Sequence, residues 1–154
     1  MKSEVKILIE KIKELNFSDA ANIIVDLKKT NDHDAVKSII YLTSDVEQGA
    51  GLITYTFLID LVNNDVIDKL IFNEIARDIW SNNLCHYNYA YNIALYYSKM
   101  VCEMDENNLA AWEYYLDIGR NRSTLLHINE AKYIAEKIVA LDPLNKIAAH
   151  YLKV

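Results

Sequence analysis

Apolar residues recur along this chain at the spacing of amphipathic helices. The first stretch places them at Val5, Leu8, Ile9, Ile12 and Leu15, which is the i, i+3, i+4, i+7 pattern of one helix face. Similar stretches follow one another, and polar residues that favour helix starts separate them. The pattern predicts an all-α protein of about nine helices, arranged as stacked antiparallel hairpins.

Polar residues predict where these helices begin and where the chain divides. Ser18 is the expected N-cap of the second helix, and Asn31-Asp32 interrupt the chain before the third. Asn63-Asn64-Asp65 are expected to cap the fifth helix. The widest polar gap, Ser81-Asn82-Asn83, is interpreted as a boundary inside one helical domain of residues 1–154, between halves 1–80 and 84–154.

The second half contains a repeat. Shifting the sequence by 37 residues aligns small residues with small residues, aromatic residues with aromatic residues, and Asp or Asn with the same residue at a turn. One helix-turn-helix unit is therefore present about twice. The aligned pairs are Ala94/Ala131, Tyr96/Tyr133, Asp105/Asp142, Asn108/Asn145, Ala111/Ala148 and Tyr114/Tyr151.

The segment Ala131–Pro143, reading AKYIAEKIVALDP, resembles the second helix and terminal proline of a tetratricopeptide repeat. Trp112 and Ala131 match that family's first-helix aromatic and second-helix alanine if the intervening turn is longer than in the usual period of about 34 residues. The match departs from the family at Leu116, where a glycine is expected. The resemblance covers roughly Tyr91 to Leu152 and implies a tetratricopeptide-like α-solenoid. The first half contains only degenerate helical hairpins.

Composition and charge narrow the possible functions. The 154 residues include 3 Gly and 1 Pro, which argues against collagen-like and many-stranded folds. The net charge of −6 disfavours nucleic acid as a partner, and Lys69 and Arg77 are the only Lys or Arg residues between Ser38 and Ser98. No apolar signal-peptide core is found near the N-terminus, and the uncharged stretch Ile79–Ser98 is too polar for a membrane span. A cytoplasmic protein is expected.

No residue pattern predicts an enzyme. His127 and Glu130 have the i, i+3 spacing of helical metal ligands, but no second ligand pair accompanies them. Cys85 and His86 are neighbours on a helix and would point about 100° apart. We therefore expect no catalytic residue, no metal and no cofactor. Cys85 and Cys102 are expected to be reduced, with a disulfide or a redox role as the alternative.

Acidic residues are concentrated in one part of the chain. Between positions 32 and 68, seven acids face the single Lys37, so this acidic stretch sums to −6, the net charge of the whole chain. Helix capping and a solvated face explain these residues, and the alternative is a surface that steers a basic protein partner. The acids are Asp32, Asp34, Asp45, Glu47, Asp60, Asp65 and Asp68.

Tyrosines form the second candidate surface. Tyr87, Tyr89 and Tyr91 cannot all be buried on one helix face, so at least one is expected to be exposed. Tyr96 and Tyr97 belong to the same crowded region, and Tyr114 and Tyr115 are expected to face this group of tyrosines from the next helix. Tyrosine is favoured at protein interfaces because a rigid apolar ring ends in a hydrogen-bonding group. The alternative is that these rings only fill the layer between helices.

These observations predict a non-enzymatic protein-binding module. The chain is small, acidic and rich in Asn, Ile and Tyr, as in a low-GC bacterial gene product. In class and composition it resembles bacterial immunity proteins, which implies binding and blocking of a cognate toxin, such as a basic nuclease domain. The alternative is a tetratricopeptide-type adaptor that binds a peptide in a concave groove. A monomer is favoured, although the short apolar C-terminal helix, Leu144 to Leu152, could pair with a second copy.

Overall fold

A computed structural model describes residues 2–29, 36, 37, 40, 44, 50–121 and 126–153. None of these residues lies in a β-strand, which confirms the all-α prediction. A π-helix, Ile79–Asn83, follows the fourth α-helix directly. The α-helices of the described residues are α1 (Lys2–Lys13), α2 (Phe17–Lys28), α3 (Ala50–Asn63), α4 (Lys69–Asp78), α5 (Ala90–Met104), α6 (Leu109–Asn121), α7 (Ile128–Leu141) and α8 (Lys146–Tyr151).

The number of helices is close to the prediction. Eight α-helices are present in the described residues, against about nine expected from the apolar pattern. Val36, Lys37 and Ile40 are also helical, and they belong to the stretch where the third helix is predicted. The predicted break at Asn31-Asp32 lies outside the described residues.

Two predicted helix starts are wrong. α2 is capped by Asn16, whose side chain accepts the Asp19 N–H, rather than by Ser18. α4 is capped by Asp68, which accepts the Ile71 N–H at 2.9 Å, rather than by residues 63–65. In both cases a non-glycine residue with φ 56°, in the left-handed region, lies just after the end of the preceding helix. The N-cap is the first suitable polar residue that follows it. These left-handed residues are Leu15 and Asp65.

The polar segment Ser81–Asn83 does not interrupt the helix, because it forms most of the π-helix that continues α4. Asn82 Nδ2 donates to the Asp78 carbonyl at 2.9 Å, and Ser81 Oγ donates to the same oxygen at 3.2 Å. Two side chains thus donate hydrogen bonds to one backbone carbonyl, at the point where the backbone hydrogen bonds change from the α-helical to the π-helical pattern. The π-helix packs against α5 as well as α3.

Buried apolar side chains form two clusters. The first joins α1 to α4 and the π-helix and contains Phe57, Leu8 and Ile24, which have no exposed surface. The second joins α5 to α8 and contains Trp112 and Ile134. From α3 onward, each helix packs against the next helix in the chain. From α3 onward, the chain is thus a series of helices that are joined by short connections and packed each against the next.

The turns of this chain fall alternately at two ends of the helix array. Consecutive helices from α3 to α8 pack pairwise across connections of a few residues, so they alternate in direction. The α3–α4, α5–α6 and α7–α8 turns therefore share one end. The connection from the π-helix to α5 and the connection from α6 to α7 share the other end.

The 37-residue repeat is visible in the local geometry of two turns. α5 and α7 end at Asp105 and Asp142, whose φ angles are −135° and −134°. Asn108 and Asn145 then cap α6 and α8 by accepting N–H groups three residues later, at 3.1 and 3.0 Å. Asp68 makes the same contact at the start of α4. Asn16 makes this contact at the start of α2 as well, so the cap by itself does not mark a repeat unit.

The two tryptophans allow a test of one buried hydrogen bond. Trp112 Nε1 donates to the Glu106 carbonyl at 2.9 Å, whereas the buried Trp80 Nε1 has no acceptor among the described residues. We expect Trp112→Phe to lower the free energy of unfolding by about 1 kcal/mol more than Trp80→Phe, because both lose ring volume and only the first loses a hydrogen bond. Urea unfolding measures the loss of free energy of unfolding in each variant. Equal losses would contradict a stabilising hydrogen bond from Trp112 Nε1.

Candidate functional site

The acidic stretch is only partly within the described residues. Asp32, Asp34, Asp45 and Glu47 lie outside them. Asp60 is half-buried in α3 and accepts Asn64 Nδ2 at 3.1 Å, so it belongs to the end of that helix. Asp65 and Asp68 are exposed in the α3–α4 turn, where the first takes the left-handed conformation and the second caps α4.

Three further acids lie at the same end of the array as the α3–α4 turn. The α5–α6 and α7–α8 turns are at that end, and none of the three turns contains Lys or Arg. Four lysines lie beside these turns. Lys69 and Lys146 follow two of the turns as the first residues of α4 and α8. Lys137 lies 3.7 Å from Glu106, and Lys28 Nζ donates to the Val66 carbonyl at 2.5 Å. We call this group the acidic end; it consists of Asp65, Asp68, Asp105, Glu106 and Asp142.

Sequence reasoning missed the second part of the acidic end. Asp105 and Asp142 stand out in the sequence only as an aligned pair of the repeat, and the concentration of acidic residues is highest before position 69. The signal that could have found them was the repeat itself. Equivalent turns in a chain of alternating helices lie at the same end, so acids at equivalent positions come together.

Two of the three candidate tyrosines are exposed. Tyr89 is 77% exposed and Tyr87 is 42% exposed, which confirms that the three rings cannot all be buried. Tyr91 is half-buried. The Tyr87 ring lies 4.5 Å from the His86 ring, centroid to centroid. We call the connection that contains these side chains, residues 84–89, the aromatic turn.

Tyr114 and Tyr115 lie on α6, which packs against α5, the helix that contains Tyr91, Tyr96 and Tyr97. Their side-chain hydrogen bonds are made to other elements. The Tyr114 hydroxyl lies 2.7 Å from Ser81 Oγ, and the Arg77 guanidinium lies 4.0 Å above its ring. The Tyr115 hydroxyl donates to Glu130 at 2.7 Å, and burial with this contact raises its pKa. Successive residues on α6 point in different directions, so one ring meets the π-helix and the other meets α7.

The backbone of Tyr89 is unusual for its residue type. Its φ is 65°, in the left-handed region, at the position just before α5. Glycine, Asn and Asp take this conformation most readily, and a bulky side chain is uncommon there. The Tyr89 side chain makes no capping hydrogen bond. Neither capping nor burial therefore accounts for a tyrosine at this position.

The aromatic turn and the acidic end are not neighbours. They lie at opposite ends of α4 and the π-helix, which have 10 and 5 residues. At 1.5 Å per residue this separation is about 20 Å. The sequence-predicted candidates thus form two surfaces, and one partner would have to extend along α4 to contact both.

The other candidate chemical groups have structural partners. His127 caps α7 by accepting the Asn129 N–H, and Glu130 accepts the Tyr115 hydroxyl. Cys85 and Cys102 are both free thiols, and burial raises the pKa of the Cys102 thiol to about 12. A thiol with that pKa is protonated at neutral pH and is a poor nucleophile. Among the described residues, no group of three or more His, Cys, Asp or Glu side chains is placed to hold a metal ion.

A cavity of about 240 Å³ lies between α6, α7 and the start of α8. Its floor is apolar, with Leu116 and Ile138 almost fully buried. Arg120 and Asp117 form an ion pair of 3.2 Å at its wall. The residues that line the cavity are Glu113, Leu116, Asp117, Arg120, Ile138, Asn145 and Ile147.

Comparisons with known protein families, with curated proteins and with solved structures found no match to this chain. Within the part of the chain that the structure describes, no helix combines the length and apolar character that crossing a membrane requires. The exposed tyrosines, the acidic end and the cavity are therefore the features of this chain that bear on its function.

Proposed function

We propose that this chain is a non-enzymatic protein-binding module that binds and blocks a basic toxin domain, as immunity proteins do. The observation that carries the proposal is Tyr89, whose ring is 77% exposed on a backbone with φ 65°. A left-handed backbone costs a non-glycine residue roughly 1–2 kcal/mol. An exposed aromatic ring held at such a cost is typical of a contact residue in an interface, where Tyr is enriched.

The acidic end supports a basic partner. Its five acids lie in three turns that contain no Lys or Arg. Such a surface attracts a positively charged protein and accelerates its association. Capping accounts for Asp68, whereas the Glu106 side chain is 69% exposed and lies 3.7 Å from Lys137, its one ion-pair partner among the described residues. The charge therefore exceeds what helix capping requires.

The repeated turns support a tetratricopeptide-like arrangement as part of this proposal. Asp68, Asn108 and Asn145 cap α4, α6 and α8 through the same contact, and the helices between them have similar lengths. Stacked helical units of this kind commonly present an extended binding surface. Such a surface could bring the acidic end and the aromatic turn against one partner.

A substitution at Tyr89 separates binding from stability. Tyr89→Gly removes the ring and also relieves the left-handed strain, so we expect unchanged or slightly higher stability and about tenfold weaker binding of the partner. The matched control is Leu15→Gly, because Leu15 is also left-handed, at φ 56°, and 64% exposed. This control should bind like the parent chain. Calorimetric melting gives the stability, and titration against the partner gives the affinity.

The partner itself is identified by capture from the native host with the parent chain, Tyr89→Gly and Leu15→Gly at two salt concentrations. We expect one small basic protein, retained less by Tyr89→Gly and less at high salt. Expressed alone, that protein should stop growth, and co-expression of this chain should restore growth. Equal capture by all three chains would contradict the role of Tyr89, and a captured protein without toxicity would contradict the immunity role.

The cavity between α6, α7 and α8 favours a second candidate function, that of an adaptor for a peptide segment. Its volume of about 240 Å³ and apolar floor would hold one or two side chains of an extended peptide. Binding there should change little with salt, because the contact is mainly apolar. Capture of several large proteins that share a short segment would favour the adaptor over the immunity protein.

A further inference from the structure

One arginine is held largely out of solvent where α4 continues into the π-helix. The Arg77 side chain is only 12% exposed, although arginine is rarely buried unless its charge is paired. Its Nε donates to Asp78 Oδ1 at 2.8 Å. Its guanidinium carbon lies 4.0 Å from the centroid of the Tyr114 ring on α6. One contact holds an edge of the guanidinium and the other holds a face, so together they fix its plane.

The Tyr114 ring beneath this guanidinium is itself fixed at its far end. Its hydroxyl lies 2.7 Å from Ser81 Oγ on the π-helix. The ring cannot turn away from Arg77 without breaking this hydrogen bond. The arginine is therefore held in one position before any ligand arrives, which lowers the entropy cost of binding to it.

The terminal amino groups of Arg77, Nη1 and Nη2, remain available for a ligand. Within the described part of the chain, the guanidinium makes one hydrogen bond, and Nε is its donor. Neither terminal nitrogen is among the fully buried atoms that lack a partner, so both reach the surface. A guanidinium edge of this kind presents two parallel N–H donors, which match the two oxygens of one oxyanion.

The charges around Arg77 favour a ligand with a single negative charge. Asp78 lies 2.8 Å from the guanidinium, so one positive charge is already partly compensated. Burial raises the pKa of the Tyr114 hydroxyl and raises that of the Cys102 thiol to about 12, so both neighbours are neutral at pH 7. A carboxylate brings one negative charge, whereas a phosphate group brings about 1.5 to 2 at this pH. In a chain of net charge −6, the carboxylate is the better match.

We propose that Arg77, stacked on Tyr114, is a binding site for one carboxylate group. The two carboxylate oxygens accept N–H groups from Nη1 and Nη2, while Asp78 keeps its bond to Nε. An Asp or Glu side chain of a partner protein and a small carboxylic acid offer the same group. The inference is independent of the proposed toxin binding, because it uses neither the acidic end nor the aromatic turn.

NMR titration of the isotope-labelled 154-residue chain with sodium acetate at pH 7 tests the site, against sodium chloride at the same ionic strength. We expect saturable shifts of the Arg77 and Tyr114 backbone amide signals, with a dissociation constant of about 10 mM, because a single guanidinium binds weakly. Arg77→Lys keeps the charge but loses the planar pair of donors, so it should raise this constant at least tenfold. Tyr114→Leu removes the stacked ring and should also weaken binding.

The matched control is Lys99→Gln. It removes one positive charge from α5, where Lys99 is 51% exposed, and it leaves Arg77 and its contacts intact. The control should bind acetate like the parent chain, which separates the planar donors of Arg77 from net charge. Circular dichroism confirms that all three variants are folded.

Three further ligands identify the source of the carboxylate and the selectivity of the site. An aspartate blocked as its N-acetyl methylamide presents the Asp side chain between two peptide groups, and the blocked asparagine lacks the charge and should not bind. Tighter binding of the blocked aspartate than of acetate supports a protein side chain as the ligand, and the reverse order supports a small acid. No saturable shift at about 100 mM acetate, equal binding by Arg77→Lys, or tighter binding of inorganic phosphate than of acetate would overturn the proposal.

Discussion

Gly119→Ala should lower the free energy of unfolding by about 3 kcal/mol, although alanine is normally the better helix former. Gly119 is buried in α6, and a methyl group there would overlap Cδ1 and Cγ of Leu126 and lie 3.1 Å from its Cβ. The chain after α6 therefore returns over this helix at a position that tolerates only glycine. Thermal unfolding should show a Tm about 10 °C lower than that of the parent chain.

A double-mutant cycle tests the cause of that loss. Leu126→Ala removes Cδ1 and Cγ, the two atoms that a methyl group at position 119 would overlap, and leaves only Cβ at 3.1 Å. Gly119→Ala should therefore cost much less in the Leu126→Ala background than in the parent chain. Gly51→Ala is a milder comparison, because its new methyl would lie 2.9 Å from the terminal Cδ2 of Leu84 and 3.3 Å from Leu84 Cγ and Asn83 Cβ. Additive losses in the cycle would show that Gly119 is needed for some reason other than its approach to Leu126.

Neutralising the acidic end should slow association with a basic partner about tenfold at low salt. Asp65→Asn, Asp105→Asn and Glu106→Gln together remove three charges and keep the shapes of the side chains. Asn also tolerates the left-handed backbone of position 65, so the turn should remain folded. Stopped-flow association at several salt concentrations should show a slower rate and a weaker salt dependence than in the parent chain.

The control for this prediction removes the same number of charges elsewhere. Glu10→Gln, Glu14→Gln and Glu136→Gln change acids on α1, in the α1–α2 turn and on α7. If net charge alone set the association rate, both triple variants would be slowed equally. The acidic end would then lose its special role, while the binding function could still be judged from Tyr89.

Apolar spacing predicted the helices well, and polar residues predicted their limits less well. The i, i+3, i+4 pattern places Leu8 and Ile12 in the core, and α1 forms there. Leu15, the last apolar residue of that stretch, lies beyond α1 and is 64% exposed, so its expected place on the buried helix face is wrong. The residue at which a helix begins depends on which of several suitable polar residues forms its N-cap. Leu15 and Asp65 adopt left-handed conformations after α1 and α3, and each moves the next cap to a residue that local preference alone does not single out.

The candidate site was predicted as residue types and not as an arrangement. Exposure of at least one of Tyr87, Tyr89 and Tyr91 was predicted because three alternate tyrosines cannot all be buried on one helix face, but the pattern did not say that Tyr89 is the most exposed. The acidic and aromatic surfaces are separated because packed helices alternate in direction. The sequence does not show this separation, because it does not show which helices pack against each other. Similarly, the close approach of Leu126 to Gly119 could not be predicted, because neither residue belongs to a motif that the sequence shows.

The packing of each helix against the next one in the chain also bears on how this protein reaches its native state. Neighbouring segments find each other with little loss of chain entropy, because only short loops must close. Proteins whose contacts are mostly local in sequence fold quickly. Structure can therefore nucleate at one helix pair, such as α4 with α5, and spread outward in both directions one helix at a time.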